Sequence, residues 1–109
     1  MAYDQQLAER IRGILNRRRG ITEKQMFGGL AFLVNGKMCC GIVGHELMVR
    51  VGPAGYEKAL FRRHVRPMDF TGKPLKGFVY VARPGFKSDR NLRMWVDQAI
   101  AFARKLPAK

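Results

Sequence analysis

The chain has 109 residues, 47% of them hydrophobic, and carries 21 lysines and arginines against 8 acids, for a formal net charge of +13. That size and apolar content fit one globular domain with its own core and exclude a disordered chain. No apolar run approaches the roughly 18 residues that span a bilayer, and residues 1–11, with an early acid and no apolar centre, are not a signal peptide.

Asp4 is placed to cap a first helix whose Leu7, Ile11, Ile14 and Leu15 form one apolar stripe. The triplet Arg17-Arg18-Arg19 then falls in its last turn, where cations suit the helix dipole, and Gly20 follows as the terminating glycine. Phosphate contact is a second, weaker reading of that triplet. Arg10 and Arg12 sit off the stripe and are expected on the solvent side.

Segment 21–26 reads as a linker into the first strand, with Gly28-Gly29 marking a turn, a bulge or a close backbone approach. Strands 30–34 and 37–43 flank Asn35-Gly36, the strongest short hairpin signal, because both residues tolerate positive φ. Gly44-His45 supplies a second tight turn into strand 46–51. With two-residue turns throughout, Leu30, Phe32, Val34, Lys37, Cys39, Gly41, Val43, Glu46, Met48 and Arg50 share one mixed face. The other face is wholly apolar and should pack on helices. The mixed face, around Phe32, Cys39, Met48 and Arg50, is the expected partner or dimer surface.

Gly52-Pro53 opens a second helix with Tyr56, Ala59 and Leu60 inward. It runs into the basic cluster Arg62-Arg63-His64-Val65-Arg66 and stops before Pro67. Residues 68–70 and 78–81 read as strands joined through a turn at 71–74. Ser88 or Asp89 caps a last helix with Leu92, Trp95, Val96, Ala99, Ile100, Ala103 and Leu106 on its apolar stripe. The class is therefore α+β: helix, a three- to four-strand antiparallel meander, helix, two strands, helix, with one sheet covered mainly on one face.

Little here reads as chemistry. Cys39 and Cys40 are neighbours on a strand, so their thiols should point to opposite faces and cannot share a metal ion. Unable to staple distant segments, they fit a reducing compartment and a cytoplasmic location. No histidine has an obvious carboxylate beside it, and Gly72 to Gly77 has phosphate-loop spacing but Phe78 where lysine is needed. No catalytic residue, cofactor or metal is expected, so the chain is read as a non-enzyme. The net charge favours an anionic partner, with a merely solvated basic surface as an equal reading. Arg62, Arg63, Arg66, Lys73, Lys76 and Arg83, interleaved with aromatics, form the candidate contact for nucleic acid or an acidic partner.

The run MFGGLAFLVNGKMCCGIVG, then LMVRVGP, then RPMDFTGKPLKGFVYV, resembles the N-terminal domain of the TfoX/Sxy family. The likeness extends from the opening MAYDQQLAERIR to the closing LRMWVDQAIAFARKLP. It implies an α+β domain with the element order derived above. The family's larger members regulate natural competence with the cyclic-AMP receptor protein, so the resemblance implies a bacterial regulatory or adaptor domain. On this reading it contacts transcription machinery or another protein, as monomer or homodimer. Direct non-specific nucleic-acid binding through residues 62–90 is the alternative. The competence regulators carry a second domain, which is not expected in a chain ending at Lys109. The family supplies no catalytic residues to carry over.

Overall fold

The computed structural model describes residues 3–16, 18–26, 28–69 and 74–106. Asp4 starts the first helix as expected: its Oδ1 accepts the Leu7 amide at 3.1 Å, and α1 runs Gln5–Leu15. Four strands follow, β1 (Ile21–Met26), β2 (Gly29–Val34), β3 (Lys37–Val43) and β4 (Glu46–Arg50). After α2 (Gly52–Leu60) come β5 (Val65–Asp69), β6 (Pro74–Val81), a short 3-10 helix (Arg83–Phe86) and α3 (Asp89–Lys105). The strands make one antiparallel sheet in the order β1-β2-β3-β4-β6-β5. The class is α+β.

Local chemistry explains most of the punctuation. Asn35 and Gly36 both have positive φ, 51° and 82°, as a type I′ hairpin requires. At Gly44 φ is +61° while His45 stays negative, which is the pattern of a type II′ turn. Ser88, not Asp89, caps α3, its Oγ accepting the Asn91 amide at 3.1 Å.

Three boundaries differ from expectation. Segment 21–26 is not a linker but a whole edge strand, paired from Ile21↔Val34 to Met26↔Gly29. Its central residues are exposed, so it lacks the alternating apolar pattern that marks a half-buried strand. Helix α1 ends at Leu15, a turn before the arginines; Gly20 serves instead in the turn into β1, with φ +76°. Arg17 lies outside the described residues. Helix α2 stops at Leu60, so the basic cluster is turn and strand, and Pro67 sits inside edge strand β5 at a register shift.

The register carries the largest correction. Leu33 pairs with Met38, but Phe32 pairs with Cys40, so Cys39 is an extra residue bulged out of the ladder. Beyond the bulge every β2–β3 partner moves by one. Leu30 and Phe32 therefore join Ile42, Leu47 and Val49 on the helix-covered face, against Leu7, Ile11, Leu92, Trp95 and Val96. Val79 and Val81 extend that face, and Ala59 of α2 completes it. A second, smaller core on the opposite face gathers Met48, Met68 and Tyr80, with Met38, Val43 and Phe78 against them.

Side-chain bonds tie the helices down. Nη2 of Arg10 donates to the carbonyls of Phe86 and Lys87, both at 3.0 Å, joining α1 to the 3-10 helix. Arg12 clamps Glu23 of β1 with two hydrogen bonds of 2.8 Å and holds that carboxyl below its usual pKa. Neither arginine is the simple solvent-side residue that its helix position implies.

Asp4 also joins α1 to two other segments. Its amide donates to the Gly44 carbonyl at 2.9 Å, and Oδ2 lies 3.3 Å from Arg83 and 3.5 Å from His45. Burial opposes its ionisation, but the Leu7 amide, His45, Arg83 and the Gln6 amide outweigh that and lower its pKa from the usual 3.8. Replacing Asp4 with alanine should cost about 1–2 kcal/mol in chemical denaturation near neutral pH. A carboxyl whose folded pKa is depressed stabilises above its unfolded pKa and loses that contribution as pH falls through the folded one. The gap between wild type and Asp4→Ala should accordingly narrow in acid below about pH 4.

Candidate contact surface

Helix α2 closes with a tightened turn. The Phe61 amide reaches the Lys58 carbonyl at 3.3 Å, and that of Arg62 reaches Ala59 at 3.0 Å. The chain then reverses into β5 through His64, whose φ of +67° is uncommon for a residue with a side chain. What holds it there is the neighbouring loop: the His64 carbonyl accepts the Ala82 amide at 2.8 Å. Gly85 packs so closely that a Cβ on it would stand 3.3 Å from the Cβ of His64. The guanidinium of Arg62 lies 5.0 Å from the centre of the Trp95 ring, a cation–π contact that fastens the loop to α3.

This fastened loop points Phe61 into solvent. Its relative exposure is 91%, and it is the one large hydrophobic residue exposed among the described residues. Isolated exposed apolar groups are ordinary. A ring held out by a loop anchored at both ends is a better contact point, because little freedom is lost when it is covered. Sequence reading passed over it. Its signal was there, since Phe61 falls off the inward stripe of Tyr56, Ala59 and Leu60.

The basic candidates divide. Arg63 is exposed beside Phe61, and Lys76 is exposed farther along the β5–β6 hairpin. Arg66 is engaged twice, ion-paired to Glu46 and lying 4.6 Å from the Tyr80 ring centre. Arg83 is paired to Asp4 at 3.3 Å. The bond between Ala82 and His64 brings the Arg83 turn beside the Arg62–Arg63 turn, but the Arg83 guanidinium is directed to Asp4 and that of Arg62 to Trp95. Lys73 lies outside the described residues.

The other candidate surface does not assemble as the sequence implied. Phe32 and Cys39, at 1% and 0% exposure, belong to the helix-covered core. Met48 remains on the far side, buried in the smaller core, and Arg50 pairs across the ladder with Phe78 of that cluster. The guanidinium of Arg50 is held between two rings, 5.3 Å from the centre of Phe78 and 5.5 Å from that of Phe102, and Nη1 donates to the Met38 carbonyl at 3.3 Å.

The bulge also overturns the separation of the cysteines. Both are fully buried in the same core. A hydrogen bond donated by the Cys40 thiol to Cys39, and then burial, push the Cys40 thiol well above its ordinary pKa, which is the inert direction. Among the described residues no group of histidine, cysteine or carboxylate side chains is arranged to hold a metal ion. No helix described is long and apolar enough to cross a membrane.

A family model described as the TfoX N-terminal domain matches residues 14–103. Comparison with curated proteins and with solved structures gives no match.

Proposed function

The chain belongs to the TfoX N-terminal domain family, and from that premise we propose that it is a non-enzymatic regulatory or adaptor domain working through contact with another protein. The observation that supports this reading is Phe61, 91% exposed on a loop fastened to both α3 and the 3-10 turn. Aromatic side chains flanked by arginine are the typical anchors of protein interfaces. A net charge of +13 selects an acidic partner surface. Competence or transcription regulation in a bacterial cell is the setting that the family suggests.

Crosslinking in cell extract, with identification of the captured proteins, tests the reading. The expected result is a transcription component recovered by the wild type and reduced at least about tenfold by Phe61→Ala, which is what loss of a hot-spot aromatic costs. Recovery unchanged by that substitution would remove Phe61 from the contact. Recovery of no transcription component would count against the regulatory role.

Arg63 beside the exposed ring favours a second reading, direct nucleic-acid binding by stacking and phosphate contact. Titration of labelled DNA at several salt concentrations separates the two. Phosphate binding gives affinity that falls steeply with salt.

A further inference from the structure

The arginines that follow α1 end in a cleft of about 380 Å³ lined by Arg18, Arg19, Asn35 and Arg104. Three separate segments build it: the turn after α1, the tip of the β2–β3 hairpin and the C-terminal end of α3. Glycine at position 20 makes the junction. The Gly20 carbonyl accepts the Asn35 amide at 2.8 Å, and any Cβ on Gly20 would fall 2.2 Å from the Asn35 side-chain oxygen. Asn35 is thus lodged against the arginine turn.

Charge at this junction is poorly balanced. Asp97 of α3 pairs with Arg18 and is the one carboxylate within ion-pair reach of the three arginines among the described residues. Nη2 of Arg104 reaches the Arg19 carbonyl at 3.4 Å, which steers the guanidinium toward the arginine turn. A helix C-terminus accounts for a cation at Arg104. It does not account for two further guanidiniums brought to it from the other end of the chain.

We propose that this cleft binds an oligophosphate group, either as a free inorganic anion or as the phosphate tail of a nucleotide. Guanidiniums are planar donors matched to phosphoryl oxygens, and pairing with Asp97 leaves Arg18 further N–H groups to offer. The volume falls within the roughly 300–1,000 Å³ usual for small-ligand sites. Its lining is arginine and asparagine with no aromatic wall, so the phosphates are what the site reads. This goes beyond the adaptor reading and uses none of the Phe61 surface.

Calorimetric titration of the whole protein with inorganic pyrophosphate, and separately with a nucleoside triphosphate, tests it. Both probes should bind at low ionic strength. Arg104→Ala should weaken both about tenfold, the loss of one charge-assisted contact, while Lys58→Ala, at an exposed lysine of α2, changes them less than about twofold. Amide shifts on titration should centre on Gly20, Asn35 and Gly36. Equal binding of the two probes identifies the inorganic group as the ligand, and tighter nucleotide binding identifies a nucleotide. Three results would overturn the proposal: neither probe binding, the nucleotide binding without pyrophosphate, or Lys58→Ala weakening binding as much as Arg104→Ala. The last would mean that the diffuse field of the protein is responsible. Arg19→Ala supplies a second exposed variant should Arg104→Ala fold poorly, with the same weakening expected and an unchanged affinity counting against the site.

Discussion

Trp95→Ala should lower the unfolding free energy by about 4 kcal/mol, within the range for deleting a buried aromatic ring. Trp95 is 2% exposed and lies in the main core beside Leu92, Val96 and Ala99 of its own helix. Alanine would leave a cavity that the surrounding strands cannot close without moving the sheet. Loss of the indole also strands the Gly85 carbonyl, which accepts the Nε1 proton at 3.3 Å. Denaturant titration measures the total. A second readout isolates the local effect, because the ring is also the platform under Arg62. Amide exchange at residues 61–64 should accelerate more than exchange in β1, the outer strand paired with β2. If the partner contact runs through Phe61, the same variant weakens it without touching Phe61.

Gly29→Ala is the other severe change, at about 3 kcal/mol, the upper part of the range for overpacking. A Cβ at this position would stand 2.0 Å from the Ile42 carbonyl oxygen and 3.1 Å from its carbon. Both are backbone atoms, so no side-chain rotation relieves the clash, and β2 must separate from β3 where Leu30 faces Ile42. Gly28 is the control. Its φ of +72° penalises a side chain, but no atom lies within 4 Å of the added carbon. Gly28→Ala should therefore cost only about 1–2 kcal/mol. Thermal or denaturant unfolding of the two variants checks the ordering, and equal losses would refute the steric account.

What could be read from the chain in advance was what depends on near neighbours. Asn35-Gly36 announces its hairpin because turn geometry is a property of those two residues. Asp4 and Ser88 announce their helices because an N-cap needs one oxygen and the amide three positions on. The stripe from Leu92 to Ala103 gave away α3 in the same way. Register was a different matter. Nothing near Cys39 shows that it is the extra residue of a bulge, for the reason lies across the sheet: Leu30 and Phe32 reach the helix-covered core only if the ladder slips by one. That slip moved Phe32 and Cys39 off the face proposed for contact. β1 was hidden by its polar, exposed middle, since its pairing is satisfied by backbone groups that composition does not report. The cleft of Arg18, Arg19 and Arg104 was half visible. The triplet could be seen, but its meeting with Asn35 and the end of α3 is a product of tertiary folding.

The sheet is open, and its two outer strands bear on how copies of the chain, or other chains, can attach. Open edges invite strand addition, in which a foreign backbone completes the ladder. Neither edge here extends that invitation freely. β1 exposes Glu23 and Lys24 along its length, so an incoming strand would have to accommodate charges on the edge. β5 carries Pro67, which has no N–H to donate, beside a register shift that bends the strand. Growth of the sheet into a continuous intermolecular ladder is thus discouraged at both ends. Recognition is left to side chains: the displayed ring on one loop and the guanidiniums gathered around a hairpin tip.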